Sequence, residues 1–267
     1  MIDVIKQQLK PGMSMEQKLN VTREFLQILS LRIMNEKKIF DHIAFLGGTS
    51  LRIIYDMKRF SEDLDFSLIK KEKYNFDKIR EELLKSFKLY GLLCDAKPST
   101  ERNVHSMMMK FSGVLYELGI SALPAQKISI KLEIDTNPPT GWVLSNTIVS
   151  KTPMFNIVHY DLPSLYAGKL HACFYRAFVK GRDFYDLIWY LGKKIKPNFI
   201  LLNNAVKQTQ GLAPRISESN FKQYLLDNVK RIDFERAKKD VERFLEDKTE
   251  LALFNLKKIS GTIESFH

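Results

Sequence analysis

The spacing of apolar residues divides the chain into a first part that mixes helices with strands and a second part that is helical. Ser14 and Gln17 have the spacing of a capping box, and apolar residues keep a helical period from there to about Phe40. Asn75 can cap a second helix. Residues 92–160 then have mostly the pattern of strands. These patterns predict a mixed α/β first part.

One strand in this region has a clean alternation of apolar and polar residues. It runs from Ile128 to Asp135, and its apolar members predict a core-facing side. Lys131, Glu133 and Asp135 share the other face. Two prolines follow Asn137 and end the strand, because proline cannot donate a hydrogen bond to the sheet.

From Pro163 onward the period of the apolar residues is helical, and Pro163 itself suits the first turn of a helix. Asp233 and Thr249 are expected to cap two of the later helices. The change of period predicts an α/β domain over residues 1–160 and a helical domain over 161–267. After the helix that starts at Pro163, further helices are expected at about 183–191, 198–210, 217–231, 234–247 and 249–265.

A glycine pair follows the short apolar run 43–46, which predicts a buried strand that enters a tight turn and then a helix. Such a helix directs free backbone N–H groups and its positive dipole end toward an anion. Gly47 and Gly48 also let a phosphate approach the backbone, and Thr49 and Ser50 belong to the same turn. We therefore expect these four residues to bind a phosphate.

Two acidic residues lie shortly after this turn. Asp63 and Asp65 are separated by Leu64, so a strand would place both carboxylates on one face. Two carboxylates this close repel each other unless a cation lies between them, and hard oxygen ligands suit magnesium. A phosphate-binding turn followed by a metal-binding carboxylate pair indicates phosphoryl or nucleotidyl transfer.

Four segments resemble the motifs of one enzyme family, in the same order along the chain. Gly47-Gly48-Thr49-Ser50-Leu51-Arg52 and Arg59-Phe60-Ser61-Glu62-Asp63-Leu64-Asp65-Phe66 resemble the signature of the DNA polymerase β-like nucleotidyltransferase superfamily. Within it they are similar to the AbiEii/AbiGii-type toxins, which include the MenT toxins. Ala167-Gly168-Lys169-Leu170-His171-Ala172 resembles that family's lysine motif, and Arg182-Asp183-Phe184-Tyr185-Asp186-Leu187 its Arg-Asp-x-x-Asp-Leu motif.

The resemblance implies a fold and a metal site. The fold is α+β, with a nucleotidyltransferase-like mixed sheet, flanking helices, an all-helical C-terminal domain and an active cleft between the two domains. Magnesium would bind Asp63 and Asp65, and a third carboxylate would come from a neighbouring strand. Glu133 is preferred because Lys-Leu-Glu-Ile resembles the strand motif of the toxins, and Asp135 is the alternative.

The resemblance also implies how a nucleoside triphosphate (NTP) is handled. Lys169 would neutralise charge that develops on the phosphates during transfer. An aspartate near this lysine would complete the site, and either Asp183 or Asp186 can be that residue. Ser61 and Arg182 are expected to contact the nucleotide, and in this family Ser61 can also be a site of regulatory phosphorylation.

The net charge of the chain indicates the kind of substrate that it binds. The net charge of the 267-residue chain is +11, and residues 166–196 hold seven lysines and arginines against two acids. A basic surface suits a polyanion. Together with the resemblance, it predicts a toxin of an abortive-infection or toxin–antitoxin pair. We expect it to transfer a nucleotide to RNA, most plausibly the 3′ end of tRNA, and to bind a cognate antitoxin.

Two other functions compete with this one. Transfer to a small molecule, such as a cationic antibiotic, is disfavoured by the positive charge, since such a substrate suits an acidic cleft. A non-catalytic nucleotide-binding partner protein would have no need to retain Asp63 and Asp65. No apolar run approaches the ~20 residues of a membrane span. Cys94 and Cys173 are too few for a disulfide framework, so we expect a cytoplasmic protein without a membrane partner.

Overall fold

The structure is a computed structural model, which describes residues 1–100, 102–151, 153–176, 180–211 and 215–265. The chain forms two compact units. The first comprises Met1–Asp56, Phe60–Asn137 and Asn146–His159, and the second comprises Met57–Arg59, Pro138–Ser145 and Tyr160–His267.

A seven-stranded sheet forms the centre of the first unit. Its order is β3-β4-β5-β2-β1-β7-β6, and it is mixed, since β2 is antiparallel to β1 but parallel to β5. β1 is also parallel to β7, and β4 is antiparallel to both β3 and β5. The strands are β1 (Ile43–Leu46), β2 (Leu64–Leu68), β3 (Leu93–Ser99), β4 (Val104–Ser112), β5 (Ile128–Asp135), β6 (Leu144–Val149) and β7 (Phe155–Tyr160).

The alternation predicted for 128–135 is confirmed. The apolar residues of β5 are buried, and its polar residues are partly exposed. One face of the sheet therefore builds the hydrophobic core, together with the helices that pack on it. The opposite face of β5 is left for polar side chains.

Two of the helices that the structure describes in the first unit have the caps that the sequence predicts. The Ser14–Gln17 capping box is present, and the side chain of Asn75 accepts a hydrogen bond from the backbone of Lys78. The long helix ends earlier than predicted, because Lys38 adopts a left-handed conformation (φ 56°) and a 3-10 turn follows. The helices are α1 (Ile2–Lys6), α2 (Met15–Glu36), α3 (Gly47–Tyr55), α4 (Phe76–Leu89) and α5 (Val114–Glu117).

From residue 161 onward, the regular structure described in the second unit is helical, apart from an isolated β-bridge between Leu245 and Arg59. Pro163 lies in the first turn of α6, as predicted, and Asp161 caps that turn. None of the helices within the described ranges is long and apolar enough to cross a membrane. The helices are α6 (Leu162–Tyr175), α7 (Gly181–Gly192), α8 (Phe199–Gln210), α9 (Glu218–Val229), α10 (Phe234–Val241) and α11 (Leu256–Glu264).

The predicted helices near the C-terminus need correction. The helix expected over 234–247 ends at Val241, and the one expected over 249–265 is a 3-10 segment followed by α11. Thr249 is not a cap, because its backbone N–H donates to the side chain of Asp247. Asn255 caps α11 by accepting from two backbone N–H groups. Asp247 caps the 3-10 segment and Asn255 caps α11, so two short elements form where the apolar spacing predicts a single helix over 249–265. The α+β class with an all-helical C-terminal part is confirmed.

Candidate active site

The glycine turn, residues 47–50, follows β1 directly and forms the first turn of α3. Gly47 has a φ of 80°, and a Cβ at this position would collide with the carboxylate of Asp65. Glycine is therefore required both by the backbone and by the approach of this carboxylate. Leu46 occupies the N-cap position, and its apolar side chain cannot accept a hydrogen bond from the first-turn N–H groups of α3.

The hydroxyl groups of this turn hold it in place. Ser50 donates to the carbonyl oxygen of Gly47 over 2.7 Å, and Thr49 donates to the carbonyl oxygen of Asp63. Both side chains are buried, as is Gly48. The turn and the segment that carries the two acids are thus fixed to each other by a hydrogen bond.

The carboxylates of Asp63 and Asp65 lie on the polar side of β2. Leu64 and Phe66 are buried, whereas the two aspartates are partly exposed. β2 lies between β1 and β5 in the sheet, so Asp65 is opposite Leu46 on one side and Glu133 on the other. Because strand residues in register present the same face, Asp65 and Glu133 share this face, and Asp63 directly precedes β2.

Lys131 provides a cation among these carboxylates. Its Nζ lies 2.8 Å from Oε1 of Glu133. The hydrogen bond to Glu133 raises the pKa of Lys131, and the charges of Asp63 and Asp65 raise it further. The alternation of residues 128–135 predicts that Lys131 lies on this face but assigns it no function. Its spacing of two residues from Glu133 on a strand was the signal that could have identified the pair.

The chemistry of these residues fits a magnesium ion bound by Asp63 and Asp65. Hard carboxylate oxygens on one strand face are the ligands that magnesium prefers. The carboxylates of Glu133, Asp63 and Asp65 raise the pKa of Lys131, which indicates a negative electrostatic potential that attracts cations. Within the part of the chain that the structure describes, however, no three acidic, histidine or cysteine side chains are close enough to enclose a metal ion.

Glu133 and Asp135, the two candidates for the third carboxylate, have different surroundings. Glu133 is the register partner of Asp65, whereas Asp135 is the partner of Ser67, farther along β2. Oδ1 of Asp135 accepts a hydrogen bond of 2.9 Å from the backbone of Asn137, which stabilises the turn after the strand. Burial raises the pKa of Asp135. Position therefore favours Glu133.

Contacts within the first unit also fix the segment before the acids. The carbonyl oxygen of Ser61 accepts a hydrogen bond of 3.1 Å from the side chain of Gln27 on α2. Arg52 of α3 binds Glu24 of α2 over 2.5 Å and lies over the ring of Phe60, 4.5 Å from its centroid. Ser61 is partly exposed, two residues before Asp63.

A second cluster of charges lies inside the second unit. Lys169 of α6 has its Nζ 2.7 Å from Oδ1 of Asp183 and 2.8 Å from Oδ2 of Asp186, both on α7. Arg59 binds Asp186 through two parallel hydrogen bonds of 2.6 Å. Arg59 is 1% exposed and Asp186 is fully buried. Both aspartates of the Arg-Asp-x-x-Asp-Leu motif thus bind the same lysine.

These charges stabilise one another's ionised forms. Burial alone would lower the pKa of Lys169, but the carboxylates of Asp183 and Asp186 outweigh burial and raise it. Burial would likewise raise the pKa of Asp183, and Lys169 lowers it instead. Lys169 and Asp183 therefore stabilise each other's charged forms. Arg182 lies elsewhere in the same unit, with its guanidinium 4.3 Å from the centre of the Phe244 ring.

Arg59 is the member of this cluster to which sequence analysis gave no role. It belongs to the motif segment that contains the two acids, yet its partner is 127 residues away in the chain. No local spacing connects two residues so far apart. Only the folded second unit brings them together.

Comparison with known proteins places the chain in a family. A family model described as the nucleotidyl transferase AbiEii toxin of type IV toxin–antitoxin systems matches residues 31–256. No curated protein matches the chain significantly.

Two solved structures share the fold. The crystal structure of JHP933 from Helicobacter pylori is 20% identical, with a TM-score of 0.55, and the match covers 93% of this chain and 91% of that one. A second H. pylori crystal structure, described as a candidate nucleotidyltransferase, is 19% identical with a TM-score of 0.55, covering 92% of this chain and 94% of that one.

Proposed function

The chain belongs to the AbiEii nucleotidyl transferase toxin family of type IV toxin–antitoxin systems, and from this membership we propose that it transfers a nucleotide from an NTP to RNA with the aid of magnesium. The observation that carries the proposal is the shared face of Asp63 and Asp65. This face lies next to the glycine turn, which follows β1, and next to Lys131 and Glu133 of β5.

The residues of the first unit suit the steps of such a transfer. The first-turn N–H groups of α3 would bind the triphosphate. Asp63 and Asp65 would hold magnesium, which when bound neutralises charge on the phosphates. An acceptor hydroxyl would form a bond to the α-phosphorus while the bond to pyrophosphate breaks. Glu133 would take the proton of that hydroxyl, directly or through water.

Lys169 is proposed to serve the same reaction, on the strength of the motif resemblance. Asp183 and Asp186 would act through it, because each holds the lysine ammonium within 2.8 Å. Both aspartates of the motif are therefore assigned to the same task. Ser61 and Arg182 stay proposed contacts of the nucleotide.

Charge supports RNA as the acceptor, with the 3′ end of tRNA as the preferred site. The net charge is +11, and Lys180, Lys193, Lys194 and Lys196 are exposed. Cations on the surface of a protein bind the phosphates of a nucleic acid without regard to sequence. Membership of a toxin–antitoxin family supports a cognate antitoxin as a further partner.

A labelling experiment tests this function. The protein would be incubated with magnesium, total RNA and each NTP, labelled either at the α- or at the γ-phosphate. We expect the α-label of one or more NTPs to enter RNA, most of it in the tRNA fraction, and the γ-label to leave with pyrophosphate. Asp63→Ala should abolish the transfer, while Asp77→Ala should not, because Asp77 is an exposed acid on α4.

Three results would contradict the proposal. Label that enters only an added cationic antibiotic would favour the small-molecule enzyme. Full activity of the Asp63→Ala variant would exclude the metal assignment. NTP binding with no transfer to any acceptor would favour a nucleotide-binding partner protein.

A further inference from the structure

A cavity in the first unit adjoins Asp63 but is separate from the glycine turn. Its volume is about 390 Å³. α2 contributes Leu19 and Arg23, β4 contributes Met108, and the start of β5 contributes Ser129 and further residues. Residues 47–50 are not among the residues that line it. The roles assigned above to the triphosphate and the metal therefore leave this space unused.

The position of the cavity follows from the order of the strands. β2, which leads from Asp63 into Asp65, lies between β1 and β5. The glycine turn continues from β1, whereas the cavity is built against β5 and β4. The turn and the cavity consequently lie on opposite sides of the two carboxylates.

This arrangement matches the geometry of nucleotidyl transfer. The attacking and leaving oxygens of a phosphoryl-type displacement lie roughly in line, on opposite sides of the phosphorus. If the glycine turn binds the triphosphate, the leaving pyrophosphate is on the β1 side. The attacking hydroxyl must then approach from the β5 side, where the cavity opens beside Asp63.

The lining of the cavity suits one nucleotide. Leu19 and Met108, which are both accessible, give it an apolar wall against which a base can pack. Gln126 and Ser129 offer hydrogen-bonding groups to a base edge or a ribose hydroxyl. Its volume lies in the ordinary range for sites that bind small ligands.

Its cations are placed to bind a phosphate. Lys127 lies at the cavity and is held by Asp95 over 2.6 Å in an exposed ion pair. Such pairs contribute little net stability, so the lysine can exchange its partner for a phosphate at small cost. Arg23, which also lines the cavity, contacts Asn20 at 3.1 Å and Glu62 at 3.9 Å.

We propose that this cavity binds the 3′-terminal nucleotide of a single-stranded RNA acceptor. The base packs on the apolar wall, Lys127 and Arg23 bind the phosphate on its 5′ side, and the terminal hydroxyl points toward Asp63. This assignment rests on the proposed nucleotidyl transfer for its orientation. The RNA binding itself can be measured without any reaction.

The test uses two variants and a control. Lys127→Gln removes an exposed cation of the cavity, and Ser129→Phe fills it from β5, with the melting temperature as a check of folding. Lys78→Gln is the matched control, because Lys78 is an exposed lysine of the same unit on α4. The first readout is the Kd of a short single-stranded RNA with a free 3′-hydroxyl across a salt series. The second is the Kd of an NTP with magnesium.

We expect Lys127→Gln to weaken RNA binding several-fold and to reduce the slope of log K against log salt by about 0.7, the value for one contact to a single strand. Ser129→Phe should weaken RNA binding by roughly tenfold or more. NTP affinity should change less than twofold in both variants, and Lys78→Gln should behave as wild type.

The opposite pattern would overturn the proposal. Weaker NTP binding with unchanged RNA binding would assign the cavity to the base of the NTP. RNA binding that is unchanged in Lys127→Gln and in a folded Ser129→Phe would exclude it as an acceptor site. The failure of the proposed function is distinct, since it would appear as wild-type protein that transfers no label, whatever these binding constants are.

Discussion

The two units each hold a cluster of opposite charges, but the clusters differ in balance and in access to solvent. In the first unit, Lys131 interacts with three carboxylates, and the side chains of Lys131 and Glu133 are 40% and 30% exposed. In the second unit, Arg59 and Lys169 oppose Asp183 and Asp186 almost without exposure. The first cluster has an excess of negative charge that water can reach. In the second, the buried charges balance, and Arg176, which is 53% exposed, lies 3.7 Å from Asp183 at its edge.

This difference indicates what each cluster can do. An accessible excess of negative charge attracts a metal cation and keeps room for a substrate. Each ion of a buried cluster depends on its partners, because the loss of one leaves another buried charge uncompensated. Removal of one carboxylate should therefore affect activity in the first cluster and folding in the second.

The largest expected effect is on stability. Asp186→Ala leaves the buried Arg59 without the carboxylate that binds it bidentately, and loss of one partner of a buried pair costs about 3–5 kcal/mol in the free energy of unfolding. Urea unfolding would measure this change. Asp63→Ala is the comparison from the first unit and should unfold like wild type or slightly later, because a carboxylate repulsion is removed. Equal losses in the two variants would refute the contrast between the clusters.

The second effect separates turnover from binding at Lys169. Lys169→Met should lower the rate of transfer by about 10²-fold, the usual loss when a preorganised charge is removed, with a much smaller change in NTP affinity. It should destabilise the protein less than Asp186→Ala, since Arg59 still neutralises Asp186.

The rate of transfer and the Kd of an NTP would be measured on the same preparations. These measurements would give the change in turnover and the change in affinity. An equal loss of affinity and rate would make Lys169 a tether of the nucleotide. Normal turnover in a destabilised variant would limit the buried cluster to a structural role.

The sequence predicts the first cluster better than the second, and the reason is distance along the chain. Asp63 and Asp65 are two residues apart, and the alternation of β5 places Glu133 on a polar face, so local periodicity alone predicts most of that cluster. The partnership of Arg59 and Asp186 spans 127 residues and depends on packing that no period encodes.

The errors near the C-terminus have a different cause. Apolar spacing predicts one helix over 249–265, but Asp247 and Asn255 each bind nearby backbone N–H groups and start new elements. Side chains of this kind compete with a continuous helix for the same donors. Threonine is a residue type that often caps helices, yet here Asp247 accepts the hydrogen bond from the backbone of Thr249 and is the residue that caps.

The smallest expected effect is a pH dependence that distinguishes the two clusters at alkaline pH. The carboxylates of Asp183 and Asp186 raise the pKa of the buried Lys169, so its contribution to stability is complete below the unfolded-state pKa of about 10.4 and is lost as pH rises through the folded-state pKa. The free energy of unfolding of wild type and Lys169→Met would be compared from pH 7 to 11.5. The difference between them should be constant to about pH 10 and then shrink by about 1 kcal/mol over the next pH unit, since one pKa unit corresponds to 1.36 kcal/mol.

Lys131→Met, measured in the same way, should show a weaker change, because Lys131 is 40% exposed and water screens its carboxylates. A larger alkaline change at Lys131 than at Lys169 would reverse the assignment of the buried, balanced cluster to the second unit.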